Sequence, residues 1–234
     1  MTSSEGPNAD TRDMYAVHTF FRREFGLMPA LVRGVTARDK ERSQIVADHL
    51  ELLNTVLHHH HRAEDKHLWP RLLDRGSKDV ASLVHVMEGH HESVETMIAE
   101  VDGATRSWRS SAASQSGEAL ADALDRMISL LNDHMGMEEE FILPIVEKYI
   151  TAAEWDLMVQ EGAAETPREN IPLIFGMVMY EGDPAVVHRI LSQMPTEVRA
   201  VMKEQASQAF ASHAQRVHGT ATPPRITRPS GLTA

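Results

Sequence analysis

Apolar side chains recur at alternating spacings of four and three residues along most of the first 150 positions of the chain. That spacing places them on one face of an α-helix. The pattern predicts four long helices, over residues 13–35, 40–73, 78–106 and 118–149. Few segments alternate apolar and polar residues as a strand would. The predicted fold class is therefore all-α, an up-down-up-down four-helix bundle over residues 13–150.

The breaks between these helices are short. Pro70 lies inside the apolar pattern of the second helix, so a kink is expected there. Gly76 and Ser77 interrupt the chain before the third helix, and residues 107–117 are interpreted as a Ser-rich loop before the fourth. The four helices therefore form two pairs.

The character of the chain changes after Ile150. Prolines divide the following stretch into short predicted helices, over residues 152–162, 171–181, 185–193 and 196–217. Because such short pieces cannot hold a core of their own, residues 151–218 are interpreted as a helical appendage that packs on the bundle. The two ends, residues 1–12 and 219–234, are polar or rich in Pro and Thr and are predicted to be disordered.

Composition excludes several classes of function. The formal charge of −11 argues against nucleic acid or an anionic membrane as a partner. The chain has no cysteine, which excludes disulfides, thiolate metal sites and a cysteine nucleophile. No stretch is apolar enough to span a membrane, and the first residues lack the apolar core of a signal peptide. We therefore expect a cytoplasmic protein.

A short motif of histidine and glutamate occurs twice. His60 and Glu64 are four residues apart, and the same pair recurs 74 residues later as His134 and Glu138. Each copy is followed six residues after its Glu by proline, Pro70 in the first copy and Pro144 in the second. Two side chains four apart lie one above the other on the same face of a helix. Each of the other two helices carries one histidine within its apolar stripe, and these are His18 and His91.

Together these positions predict a metal site in the bundle core. Its candidate ligands all fall on apolar stripes: His18, His60, Glu64, His91, His134 and Glu138. A buried carboxylate without a partner is costly, and a metal ion explains two of them beside four imidazoles. Oxygen and nitrogen donors suit iron, manganese or zinc, and two bridging carboxylates can hold two ions. Asp65 and Glu139 adjoin the ligand turns and are candidates to hydrogen-bond the outer imidazole N–H groups.

Other histidines are interpreted differently. A single histidine on an apolar face is more often a core residue with its hydrogen bonds satisfied than a metal ligand. The His–Glu motif repeated at an offset of 74 residues is the reason to interpret the histidines above as ligands. The histidines around the first motif point to other faces of the helix and are interpreted as exposed or edge residues: His58, His59, His61 and His67. His90 competes with His91, because it lies on a second apolar stripe.

The full set of spacings resembles that of the hemerythrin-like (HHE cation-binding) family. The resemblance covers residues 14–150, with a histidine on the first and third helices and a His–Glu motif before an apolar-apolar-Pro turn on the second and fourth. Residues 171–177 and 180–182 also resemble the C-terminal extension of actinobacterial hemerythrin-domain proteins. The resemblance implies two iron ions in an oxo- or hydroxo-bridged centre that meets dioxygen, peroxide or nitric oxide.

Two departures from the oxygen carriers of that family bear on function. The carriers bring two histidines, four apart, on the third helix, whereas this chain has Met87 four positions before His91. They also use a longer spacing to an aspartate on the last helix, where this chain has Glu138. Counted on two six-coordinate irons, the predicted ligands leave about two open positions, against about one in a carrier. His90 and Tyr180 are candidates to fill that gap.

Three functions follow as hypotheses, each with a small diatomic molecule or peroxide as ligand. The first is a defence enzyme that consumes peroxide or nitric oxide, helped by an electron donor and with no catalytic residue apart from the metal ligands. The second is a module that binds oxygen reversibly or senses redox state. The third is an oxygenase or oxidase for an organic substrate, with a pocket formed by Phe20, Phe21, Phe175, Met177 and Tyr180. A storage or structural bundle is the remaining interpretation.

Overall fold

The computed structural model describes residues 6–226. Four long helices form the body of the molecule: α1 (Arg12–Arg33), α2 (Lys40–His67), α4 (Lys78–Ser111) and α5 (Ser114–Met137). Two shorter helices continue the second and fourth of these: α3 (Trp69–Arg75) and α6 (Leu143–Tyr149). Both α1 and α4 pack against α2 and α5, which closes a four-helix bundle. The predicted all-α bundle is confirmed, and no strand is present within residues 6–226.

The two proline turns interrupt their helices in different ways. α2 ends at His67 and α3 begins at Trp69, with Pro70 in its first turn, so the helix is interrupted where a kink or a tightened turn was predicted. In the second copy a π-helical turn, Glu138–Ile142, joins α5 to α6. Single π-helical turns are rare and frequently mark functional sites. The spacing of apolar residues gave no sign of this turn.

The predicted loop over residues 107–117 is mostly helical. α4 continues to Ser111, and only Ala112 and Ala113 separate it from α5. Trp108 is buried, so the apolar surface of this side chain holds the last turn of α4 against the bundle. That burial outweighs the weak helix preference of the serines around it.

The apolar core consists of two clusters. The larger one fills the bundle beside the α2–α4 and α1–α5 contacts and includes Phe21, Leu50 and Leu124. The smaller one lies toward the α3 and α6 end and includes Trp69 and Ile142. The histidine and glutamate positions of the two motifs fall between these clusters along α2 and α5, and His91 does so along α4. The bundle therefore has a polar layer between two apolar ones.

Four further helices lie on the outside of the bundle: α7 (Ala152–Ala164), α8 (Ile171–Glu181), α9 (Pro184–Ser192) and α10 (Thr196–His218). Their ends differ from the predicted ones by two residues at most. A 3-10 turn, Arg168–Asn170, precedes α8. α7 packs on α2, α8 and α9 pack on α1, and α10 packs on α8 and reaches α2. None of the helices within residues 6–226 is long and apolar enough to cross a membrane.

The described parts of both ends have partners. The Ala9 N–H donates to the Ile150 carbonyl oxygen at 2.9 Å, and the Ala152 N–H donates to the Pro7 carbonyl oxygen at 2.8 Å. Near the other end, the Tyr180 hydroxyl donates to the Pro223 carbonyl oxygen at 2.8 Å. Disorder was predicted for residues 1–12 and 219–234, and of these positions 1–5 and 227–234 lie outside the described residues.

A close approach between α8 and α10 gives a testable prediction. A Cβ on Gly176 would collide with the Ala206 carbonyl oxygen and lie 2.8 Å from Phe210 Cβ. We expect Gly176→Ala to force the two helices apart and to lower the free energy of unfolding by about 1–3 kcal/mol. Gly26→Ala in α1 is the matched control, because a Cβ there meets nothing within 4 Å. It should leave stability unchanged or raise it by up to about 1 kcal/mol. Denaturant titration measures both, and equal stability of the two variants would contradict the prediction.

Candidate metal centre

Each long helix supplies side chains to the polar layer. The seven residues that meet there are His18 of α1, His60, His61 and Glu64 of α2, His91 of α4, His134 of α5 and Glu138 at the start of the π-helical turn. The side chains of both glutamates are fully buried, and that of His60 is the most exposed of the set at 14%. All six predicted ligands are thus brought together, with His61 added to them.

The seven side chains form two groups that share the carboxylates. His18, His60 and Glu138 have ligand-capable atoms within 4.8 Å of one another. The same holds for His61, His91 and His134. We call these the two-imidazole group and the three-imidazole group.

Each glutamate faces both groups. Glu64 Oε1 lies 3.3 Å from His60 Nε2, and Glu64 Oε2 lies 3.4 Å from His91 Nε2. Glu138 Oε2 lies 3.3 Å from His18 Nε2 and 3.8 Å from His134 Nε2. A carboxylate placed between two sets of imidazoles is suited to bridge two cations.

The donor atoms at the centre have no hydrogen-bond partners. They are the Nε2 atoms of the five histidines and both oxygens of each glutamate: His18, His60, His61, His91, His134, Glu64 and Glu138. A buried polar atom without a partner is destabilising by about 1–3 kcal/mol, and nine such atoms around one point would be prohibitive. Cations accept lone pairs from all nine atoms at once. The residues present therefore fit bound metal ions.

The electrostatics of the layer favour a cation. Burial, together with the neighbouring charge of Glu138, raises the pKa of Glu64 to about 8. Burial lowers the pKa of His60 and of His134 to about 3 and that of His61 well below its usual value. These three imidazoles are neutral at pH 7, which is the form that binds metal. At His18 and His91 the neighbouring carboxylates outweigh burial and raise the pKa to about 9 and about 10, so these two must release a proton when a metal binds. A positive ion beside the two glutamates would remove the repulsion between them.

Two acids outside the layer orient the histidines. Asp65 Oδ1 accepts hydrogen bonds from His91 Nδ1 at 2.6 Å and from Trp69 Nε1 at 2.9 Å. Glu139 Oε1 accepts from His18 Nδ1 at 3.0 Å and from Arg22 at 2.6 Å. With the proton held on Nδ1, the Nε2 lone pair points to the centre of the bundle. These are the two acids that the sequence proposed for this role.

His61 does not lie at an exposed edge as the sequence analysis expected. It is 6% exposed, and its ring stacks on that of His91 with centroids 4.1 Å apart. The centroid of the His134 ring is 4.8 Å away. The reason is helical geometry: His60 and His61 precede Glu64 by four and three residues, and both positions adjoin it on a helix surface. A single apolar stripe was too narrow a criterion to find both.

The other residues considered for the site lie outside it. Met87 is buried in the smaller apolar cluster. His90 is beside the centre, with its ring centroid 6.0 Å from that of His134, but it belongs to neither group. Tyr180 packs on Phe210, and its hydroxyl is bonded to the backbone of Pro223. His61, on a different helix from Met87, therefore lies in a group with His91, whereas neither His90 nor Tyr180 belongs to a group.

The remaining histidines of the run face α7 or the solvent. His67 Nε2 lies 2.7 Å from Glu161 Oε2, and His59 Nε2 lies 3.4 Å from Glu165 Oε2. The His58 side chain is 48% exposed. His67 is buried at 8% exposure, so the expectation of an edge residue was wrong for it as well. Two of these histidines therefore help to hold α7 on the bundle.

A closed four-helix bundle with five imidazoles and two carboxylates converging in its core defines a cation-binding helical domain. The family model of the hemerythrin HHE cation binding domain matches residues 9–147, more than half of the chain. The chain belongs to that family, and the match ends before α7, so the outer helices are additional to the family domain. No curated protein and no solved structure matches the chain.

The role of His61 can be tested by substitution. We expect His61→Ala to weaken metal binding by at least about tenfold, because it removes one donor of the three-imidazole group. His58→Ala, in the same run but exposed, is the control and should bind metal as the natural chain does. Metal content after dialysis against a graded chelator measures the difference. Equal retention by the two variants would show that His61 is not a ligand.

The outer acids give a second test at this site. Glu139→Gln removes the charge that accepts the His18 Nδ1 proton, and we expect a loss of about 10–100-fold in metal affinity. Its neighbour Glu140 is exposed, so Glu140→Gln removes an equal charge without touching a ligand. Competition with a chromophoric chelator gives both affinities. A similar loss in the two variants would indicate a general charge effect instead of an orienting role.

Proposed function

We propose that this chain holds two iron ions and that its centre binds a dioxygen-sized ligand reversibly. The proposal is supported by two groups of imidazoles that share two carboxylates. The choice of iron over manganese or zinc follows from membership of the family and from the nitrogen and oxygen donors. A pair of irons that changes between ferrous and ferric states supplies the electrons with which oxygen, peroxide or nitric oxide reacts.

The observation that carries the proposal is the position of His61. With five imidazoles, two bridging carboxylates and a bridging oxygen, two six-coordinate ions retain about one open position. That is the number expected of an oxygen carrier, so the argument for extra reactivity based on Met87 no longer applies. The open position belongs to the two-imidazole group, which lacks the donor that His61 gives to the other group.

The repeat indicates which residue adjoins the open position. His61 directly follows the first histidine of its motif, and the equivalent residue 74 positions later is Met135. Met135 is buried. The difference between a three-imidazole and a two-imidazole group is thus encoded at a single position of the repeat.

The surroundings favour a small ligand over an organic substrate. On the α1 side, the Phe21 ring centroid lies 5.4 Å from that of His60, and both Phe20 and Phe21 are buried. Two cavities of the described residues, about 320 and 40 Å³, are lined by residues such as Ser107 and Ala113. Ser107 is 16 residues from His91 along α4, or about 24 Å. Neither of these cavities lies over the centre, so neither supports an oxygenase pocket there.

Consumption of peroxide or nitric oxide is the second candidate, and one observation favours it. His18, Glu139 and Arg22 form a hydrogen-bonded chain from the two-imidazole group outward, and the side chains of Glu139 and Arg22 are 17% and 25% exposed. In this chain Glu139 can exchange a proton between the solvent and His18 Nδ1, while the Arg22 guanidinium keeps its protons and only positions Glu139. Turnover of this kind also requires an electron donor for nitric oxide or peroxide reduction. That donor, like the cytoplasmic location, remains a prediction.

The two candidates are separated by one set of spectra. We expect the ferrous protein to change its optical spectrum on exposure to oxygen and to recover under argon over several cycles. Met135→His should keep its metal but lose this response, because a sixth imidazole would occupy the open position. Met135→Leu is the control and should respond as the natural chain does. A response in the Met135→His variant equal to that of the control would refute the assignment of the open position.

The second candidate is tested by adding peroxide or nitric oxide to the iron-loaded protein. The second candidate predicts sustained release of oxygen from peroxide, or sustained loss of nitric oxide when an electron donor is present. Either result, combined with no reversible response to oxygen, would favour the second candidate over reversible binding. In that case Glu139→Gln should slow turnover more than Glu140→Gln does, because only Glu139 is bonded to a ligand histidine. If neither reaction nor a spectral response occurs in the iron-loaded protein, both candidates fail.

A further inference from the structure

A second cluster of metal-ligating side chains lies away from the main centre. It joins Glu24 of α1, His49 of α2 and His218, the last residue of α10. The side chains of Glu24 and His49 are fully buried, and that of His218 is 4% exposed. The cluster therefore joins two bundle helices to the end of the outermost helix.

The three side chains converge on one point. Glu24 Oε2 lies 3.2 Å from His49 Nε2 and 3.2 Å from His218 Nε2. The ligand-capable atoms of all three residues lie within 4.8 Å of one another, as they do in the two groups of the main centre. His49 Nε2 is buried, points into this cluster and has no hydrogen-bond partner. An imidazole nitrogen in that position lacks the partner that buried polar atoms normally have.

The charges around the cluster leave one carboxylate oxygen available. Arg23 Nε donates to the other oxygen, Glu24 Oε1, at 2.8 Å. The charge of Arg23 is itself balanced by Glu181 Oε2 at 3.2 Å, and its third contact is the Met177 carbonyl oxygen at 2.7 Å. Arg23 and Glu181 therefore cancel, and Glu24 contributes one net negative charge.

The cluster also has an outer partner of the kind found at the main centre. His213, one turn before the end of α10, has its Nε2 atom 3.0 Å from His49 Nδ1. A metal ion on His49 Nε2 would place the proton of that imidazole on Nδ1, where His213 Nε2 can accept it. In the metal-free arrangement Arg216 Nη2 lies 3.4 Å from His213 Nδ1, and a guanidinium can only donate. The proton of a neutral His213 is then on Nε2, and His49 carries its proton on Nε2, facing Glu24 Oε2.

We propose that Glu24, His49 and His218 form a second metal site, which binds one divalent transition-metal ion and fastens the end of α10 to the bundle. Two imidazoles and one carboxylate form a donor set typical of zinc and ferrous iron. The site does not depend on what the main centre binds, because no ligand is shared. The competing interpretation is an ion pair, with His218 protonated and bonded directly to Glu24.

Metal stoichiometry of the full chain tests the site, with zinc as the probe. We expect His218→Ala and Glu24→Gln each to bind one equivalent of zinc fewer than the natural chain. Glu24→Gln keeps the size of the side chain and a hydrogen-bonding group, so it guards against a loss caused by misfolding. The control is His85→Ala in α4, whose side chain is 67% exposed, and it should bind as much zinc as the natural chain.

A second measurement separates a metal site from an ion pair. Zinc should raise the Tm of the His85→Ala protein more than that of the two cluster variants, because binding to the folded state alone stabilises it. Equal stoichiometry in all the variants would overturn the proposal and leave the ion pair. Glu64→Gln, which alters only the main centre, separates the two sites. If only Glu64→Gln binds less zinc than the natural chain, the second site is contradicted. If only the two cluster variants bind less zinc, metal binding at the main centre is contradicted.

Discussion

Two buried carboxylates in the middle of a helical bundle are the constraint on which this structure depends. Glu64 and Glu138 have four oxygens without hydrogen bonds, between two apolar clusters. An ionised carboxylate in such a place requires a positive partner. The imidazoles that face them come from all four long helices, so the register of every helix is fixed by the need to present one nitrogen to the same layer. The apolar clusters supply stability, and the polar layer specifies the alignment.

The repeat within the chain serves this layer twice over. Each of the two buried glutamates is followed by a second acid, and that acid orients a histidine of another helix: Asp65 holds His91, and Glu139 holds His18. One turn of helix therefore supplies both a ligand and the hydrogen bond that positions a ligand elsewhere. Exact repetition would give two equal groups of imidazoles. His61 breaks the equality, since its counterpart Met135 has no nitrogen donor. In the function proposed above, this asymmetry would leave a place for an external ligand at one ion only.

Periodicity predicted what depends on local geometry. The helices, the kink before Pro70 and six residues of the centre follow from spacings of three, four and 74 positions. His61 was missed because one apolar stripe was assumed, although a residue three positions before Glu64 adjoins it as closely as one four positions before. The π-helical turn at Glu138 has no periodic signal. The cluster of Glu24 and His218 joins residues 194 positions apart, and no pattern along the chain connects them.

The outer helices cover one face of α1 and change which side chains that face can carry. In an isolated bundle, Arg23 and Glu24 would face water and need no partners. Under α8 and α10 both are fully buried, so every charge on that face must be matched within the protein. Arg23 is matched by Glu24, by Glu181 and by the backbone of Met177. Arg23 and Glu24 therefore fix the positions of α8 and α10 on α1. A shift of either helix by one turn would leave a buried charge unpaired. The same logic that aligns the bundle at its centre also aligns the extension on its surface.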